Sequence, residues 1–412
     1  MEKDYKVYRY RWVNLVVYIL VAFMAGLGFM TLAPILEVMA ERWSVGFGTV
    51  SLLLSIFGVF MVLLSIPTGY VTDRVGFKLP VAIGASLLAL GIITRATADS
   101  FGLFLLYTIV AGVGWGIMWS PVGSLAATWF PHNEIGLASS LWPVGLLAGM
   151  AVGSLTAIPV MTQFGWTTMW LIYGVVSVVI AVLAWVLLRA RPSVPPEPRP
   201  PFPPAGVGEG IKQTMNRPNI ALQYAVFAAV GSLAVAPGIL PPMLIAKGVA
   251  PMLAGLVAGL LLIGGVVGTI IVPPMAFGRR KTRVALLVAS LVGPVAFIAM
   301  FYAPVSGGAI ALVSVLSFVF GFAMASVMGI SPGVGQVQPG VNPGNAGILM
   351  GVFLTSIGVG VTIFPMLTGM LTESVGVLAA AWLLTVLPLL SIVAIALFVP
   401  EPELPEAAPP GH

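Results

Sequence analysis

The feature that most constrains this chain is a series of twelve long, nearly uncharged apolar runs. They fall at about 12–36, 47–70, 79–98, 102–127, 135–161 and 167–190, and again at 219–244, 252–276, 283–303, 308–329, 345–371 and 377–399. A helix needs about 20 apolar residues to cross the hydrocarbon core of a bilayer. Only 8% of the residues are charged and the mean hydropathy is +1.08, whereas a soluble domain carries roughly a quarter charged residues. Lipid is therefore the solvent. A membrane barrel would show segments of about ten residues alternating in polarity, and none is present. The fold class is an all-α membrane protein.

Between the sixth and seventh runs the pattern breaks at a Pro-rich stretch, Pro192 to Pro204, and polar residues continue to Asn219. The expected organisation is an N-terminal segment 1–11, a six-helix bundle 12–190, an extended linker 191–218, a second six-helix bundle 219–399 and a disordered tail 400–412. Shifting the first half by 211 positions lays Ser120-Pro121 on Ser331-Pro332, Gly136 on Gly347, Gly149 on Gly360 and Gly165 on Gly376. That order suggests parallel six-helix repeats. The N-terminal apolar run is too long for a signal peptide, so it reads as a retained first span.

Charge placement sets the orientation. Of the 18 basic residues, only Arg42, Arg95 and Lys247 fall outside if the N-terminus, the linker and the even-numbered short loops are cytoplasmic. The positive-inside rule then puts both termini in the cytoplasm and accounts for the net charge of +5 without a nucleic-acid partner. Cysteine is absent, which removes disulfides and thiolate metal sites. No metal-ligand cluster, phosphate loop or nucleophile with a base is apparent. Neither an enzyme, a cofactor nor a metal is expected.

Charge is concentrated in one short loop, Gly69-Tyr-Val-Thr-Asp73-Arg74-Val-Gly76-Phe-Lys78, between the second and third runs. This stretch resembles the loop motif of the major facilitator superfamily, Gly-x-Leu-Ala-Asp-Arg-x-Gly-Arg-Lys, with Val71, Thr72 and Phe77 departing from it. The likeness in span number, central linker and motif position covers almost the whole chain. It implies a twelve-helix transporter of two pseudo-symmetric bundles that works by alternating access, with this loop as a cytoplasmic gate. In such a gate Gly69 allows close helix approach and Asp73 faces the positive N-terminal end of the eleventh helix, which opens here near Asn345. Gly76 permits a positive-φ turn. Arg74 and Lys78 hold the loop at the cytoplasmic side, and Arg74 is placed to pair with Glu134. The second-half counterpart carries Met275 opposite Asp73, so an asymmetric latch is expected.

Two further family motifs are incomplete. Thr108 stands where the fourth helix of proton-coupled members carries Arg, and the run Gly145-x-x-x-Gly149-x-x-x-Gly153 lacks the Gly-Pro of the antiporter motif; its spacing suits close helix packing. No carboxylate lies mid-span, which argues against proton coupling. Glu37, at the outer end of the first helix, is the nearest candidate, or simply an interfacial residue. Arg95 is either an anion ligand or a partner for Asp99 one turn on.

The resemblance places the first, fourth, seventh and tenth helices around the cavity, flanked by the second, fifth, eighth and eleventh. Candidates there are Asn14, Tyr18, Thr108, Trp115, Trp119, Trp142, Gln223, Tyr224, Ser314 and Ser317. Trp115 and Trp119 sit mid-span, where an interfacial belt explains them less well. Ser120-Pro121 and Ser331-Pro332 are either matched breaks in the fourth and tenth helices or inner helix ends. The expected function is uniport or exchange of a small organic solute across the plasma membrane by a lipid-embedded monomer. Anion exchange through Arg95, multidrug efflux and a non-transporting receptor are the alternatives.

Overall fold

Residues 6–196, 203–305 and 308–400 are described by a computed structural model; the side chains of Glu37 and Glu373 lie outside the described ones. Twelve stretches of helix are long and apolar enough to cross a membrane, and no strand occurs among the described residues.

The first span is α1 (Tyr10–Met30), continued by a short 3-10 turn and the helix α2 (Leu36–Trp43). The second and third are α3 (Phe47–Val75) and α4 (Lys78–Thr94). Between them Gly76 takes φ +85°, a left-handed value open to glycine without strain. The fourth span is broken into α5 (Phe101–Met118) and α6 (Pro121–Trp129), and the fifth into α7 (His132–Ser140) and α8 (Trp142–Phe164). Proline sits at the first or second position of both α6 and α8, where a missing N–H costs nothing to the new helix but ends the old one. The sixth span is α9 (Trp166–Leu187).

In the second half the spans are α11 (Arg217–Ala246), α12 (Pro251–Gly278), α13 (Thr282–Tyr302), α14 (Ala309–Gln336), α15 (Ala346–Ser374) and α16 (Val377–Phe398). The expected break at Ser331-Pro332 does not occur, because α14 runs unbroken through both residues. Membrane helices tolerate proline where neighbours and hydroxyls support the backbone. Ser331 donates to Val327 O at 2.7 Å, and Gly329 and Gly333 lie hard against Ser140 and Gly136 of α7.

The connection between the halves also differs from an extended spacer. It contains a short helix, α10 (Val207–Thr214), with Glu209 in its first turn and Lys212 in its last, each favourable to the helix dipole. The α10 helix packs on α15 and α3. Residues 197–202, and the tail from 401, lie outside the described residues.

The two halves meet along two seams, α3 against α15 and α8 against α12, with α7 on α14 and α6 on α15 closing one end. That end carries the residue 189–217 connection and is called the linker face below. Within the first half α1 packs on α8, where a Cβ on Gly145 or Gly149 would overlap the Ile19 or Phe23 carbonyl. The glycine row is a backbone-contact surface.

Candidate functional site

The loop between α3 and α4 joins the two halves. Asp73 ends α3 half-buried, and its carboxylate accepts from Gly347 N at 2.8 Å and Ile348 N at 3.0 Å. These are the second and third residues of α15, whose first N–H groups have no partner within the helix. A carboxylate there gains from hydrogen bonding and from the helix dipole. Asn345 occupies the N-cap of α15 but does not cap it with its side chain. Its amide nitrogen instead donates to Gln213 Oε1 and to Gly340 O, both at 2.9 Å, and its oxygen accepts from Asn342 N. Asp73 of the first half therefore fills the capping position that Asn345 leaves open. The approach is close enough that a Cβ on Gly69 would overlap the Gly347 carbonyl, and one on Gly347 would come within 2.5 Å of Asp73 Oδ1.

The basic residues of the loop take other partners than expected. Arg74 does not reach Glu134: it is exposed, donates to the Tyr70 hydroxyl and lies 3.9 Å from that ring's centre. Tyr70 is one helical turn earlier, so the cation finds an aromatic face on its own helix. Glu134 is taken by Arg11, whose Nε and Nη2 donate to its two oxygens at 2.9 and 3.1 Å. Lys78 opens α4 with a half-buried side chain. A cavity of about 290 Å³ lies beside the latch, lined among others by Thr72, Asp73, Arg74, Ser124, Arg191 and Pro343.

Four of the cavity candidates meet. Trp119 contacts Trp115 and Trp142 with ring centres 5.0 and 5.1 Å apart. Tyr18 lies at the break between α5 and α6, where its hydroxyl donates to Met118 O and Trp119 O, each at 2.9 Å. Met118 O is a carbonyl that the interrupted helix leaves without a backbone partner, whereas Trp119 O also accepts from Val122 N at 3.3 Å. Ser120 donates across to Ser65 O on α3 at 2.5 Å. Phe29 and Phe57, which the sequence did not single out, extend the column by packing on Trp115 at 5.3 Å. The column draws on α1, α3, α5 and α8 and takes nothing from α4 or α9. All three indoles are buried, at 6%, 1% and 1% exposure, and their N–H groups have no acceptor.

The other candidates are dispersed. Asn14 accepts from Arg189 N and ties α1 to the end of α9. Thr108 donates to Phe104 O in its own helix. Gln223 of α11 lies near Ser356 of α15, 3.4 Å apart, and donates to Met215 Sδ. Tyr224 turns to Leu387 O of α16, Ser314 to Ile310 O, and Ser317 to Val257 O of α12. Arg95 makes no pair with Asp99. It is fully buried, donates to Gly28 O at 2.9 Å and lies under the Trp170 and Phe104 rings. That position is inside the first half, among α1, α5 and α9, away from both seams. The side chain of Glu37 lies outside the described residues.

The family model of the Major Facilitator Superfamily matches residues 18–353, and the chain belongs to that family. Its fold is that of the transporter FucP in an outward conformation, with a TM-score of 0.74 at 14% identity over 95% of this chain and 98% of that one. The human organic anion transporter MFSD10 gives 0.70 at 16% identity over 93% and 99%. Among curated proteins, the probable nitrate transporter NarT of Staphylococcus carnosus is 28% identical over 167 residues, which are 40% of this chain and 42% of that protein. The match thus spans less than half the length of that relative.

Proposed function

We propose that this protein is a secondary transporter that moves a small organic solute across the plasma membrane by alternating access, as a uniporter or exchanger, with the linker face in the cytoplasm. The observation that carries the reading is the Asp73 carboxylate of one half holding the first free N–H groups of α15 in the other. Such a contact is lost whenever the halves part at that face, so it biases a two-state equilibrium. The Trp115–Trp119–Trp142 column is buried in this conformation and would present an aromatic wall to an apolar or amphipathic solute once the halves part.

The chain has no cysteine, so a single introduced thiol reports local access. Ser124→Cys lines the linker-face cavity, and Met30→Cys ends α1 at the opposite face. Alternating access requires reciprocal labelling by an impermeant maleimide. Weakening the latch with Asp73→Asn must raise labelling at position 124 and lower it at position 30. Parallel changes, or none, would sink the reading.

A second reading, anion transport, is favoured by the likeness to the probable nitrate transporters. Nitrate uptake into proteoliposomes tests it directly.

A further inference from the structure

Among the described residues Arg95 is a cation with no counter-charge. It is 0% exposed and lies at the far end of α4 from the linker face. No described acid pairs with it, and Asp99, the acid nearest in sequence, is exposed. A buried charge is costly unless it is paired and hydrogen-bonded. Arginine offers five N–H donors and keeps its charge. Here one nitrogen, Nη1, is used on Gly28 O, while Nε and Nη2 are buried without any partner.

The surroundings narrow what is missing. Trp170 and Phe104 pack against the guanidinium at 4.9 and 5.4 Å and lie 5.6 Å from each other, so both stand on one side of it and neither gives a partner to the edge that carries Nε and Nη2. Nε–H and the neighbouring Nη2–H point the same way along that edge. The same edge of Arg11 grips both oxygens of Glu134 in this protein. The fork geometry matches a planar oxyanion. Nearby indoles add donors and no acceptors: Trp43, Trp166 and Trp170 each have a buried N–H without a partner. Exposed Arg42 lies 5.1 Å over Trp166 and half-buried Trp43 contacts the same ring, which puts a second cation at the rim.

We infer that the free edge of Arg95 is a binding site for a small planar oxyanion of the carboxylate class, held inside the first half near the face opposite the linker. The site stands apart from the two seams, since its groups come from α1, α2, α5, α9 and the turn after α4, none of which forms a seam between the halves. The inference does not rest on the transport reading and survives its failure.

The test uses purified full-length protein in sodium isethionate at constant ionic strength, with formate replacing isethionate while the melting temperature is followed. A saturable rise is expected, since a ligand of the native state stabilises it. Arg95→Lys keeps the charge but loses the fork, and should weaken the formate half-point by about tenfold or more, the factor for roughly one charge-assisted hydrogen bond. Arg11→Lys removes the other fork and should leave that half-point unchanged. In the wild-type protein chloride, which cannot span two donors as an oxyanion does, should be far less potent than formate. Equal potency of chloride, no formate effect, or the same shift in both lysine variants would overturn the inference. The wild-type comparison decides the matter should Arg95→Lys not fold.

Discussion

Replacing Asp73 by Asn tests the latch with the least change of shape. The carboxylate accepts two backbone hydrogen bonds, at 2.8 and 3.0 Å. Hydrogen bonds to a charged group contribute about 1.5–3 kcal/mol each. Asparagine keeps one acceptor oxygen but points an NH2 group at the second N–H, so donor faces donor. It also loses the charge that the start of α15 favours. Asp73 is only half-buried, and solvent screening argues for the lower end of the range. A loss of about 2 kcal/mol follows, or roughly 30-fold in the ratio of closed to open linker face. The assay is the rate of maleimide labelling of Ser124→Cys from that face, which scales with the open population. A rate rising by about that factor supports the latch. An Asp73→Asn rate equal to that of the parent would refute the claim that these two bonds hold the face shut.

Gly69→Ala should act in the same direction without any change of charge. Its Cβ would overlap the Gly347 carbonyl, and backbone on both sides leaves little room to give; overpacking of this kind costs about 1–3 kcal/mol. Labelling of Ser124→Cys should rise at any salt concentration, and an unaffected rate would show that the helices can slide apart. A double-mutant cycle on Arg11 and Glu134, whose side chains are 14% and 28% exposed, should give a coupling of about 1 kcal/mol or less. The cycle on Arg74 and Glu134 should give about zero, and the reverse order of the two couplings would contradict the assignment. Tyr18→Phe removes the hydroxyl that donates to Met118 O and Trp119 O at the α5–α6 break; Trp119 O keeps Val122 N, and leaving Met118 O unsatisfied costs about 1–3 kcal/mol, read as a lower melting temperature.

The spans were legible because a bilayer demands one long apolar run per crossing, a signal that needs no knowledge of neighbours. The latch positions were legible for a similar reason, since Asp73 and Asn345 stand out in an apolar chain. Partner choice was not. Glu134 and Arg11 are 123 residues apart, and opposite charge alone made Arg74 as good a candidate. The sequence gives no direction for Arg74, and an aromatic ring one turn back on its own helix took it first. Proline has the same ambiguity: Pro121 ends a helix and Pro332 does not. The difference lies in what packs against them, since α14 is supported by α7 around Gly329 and Gly333. The α10 helix was hidden because eight residues with two glycines have little intrinsic tendency to be helical. Its docking on α15, with Gln213 bonded to Asn345, stabilises it.

The asymmetry between the halves now has a physical content. At the position matching Asp73 the second half carries Met275, which is exposed and makes no latch. Two residues on, Phe277 is buried, and its ring is so close to Gly136 that a Cβ there could not be accommodated. It also lies about 3.0 Å from where a Cβ on Gly333 would stand. One seam at the linker face is thus closed by a carboxylate on a helix N-terminus, and the other by an aromatic ring seated on glycines. The two closures respond to different variables. Salt weakens the half-buried charge and leaves the ring contact intact, whereas cooling weakens apolar burial. An opening that begins at the Asp73 seam should therefore speed up with ionic strength. One that begins at Phe277 should be indifferent to salt and abolished as a barrier by Phe277→Ala. Labelling of Ser124→Cys across a salt series, in the parent and in Phe277→Ala, separates the two orders of opening.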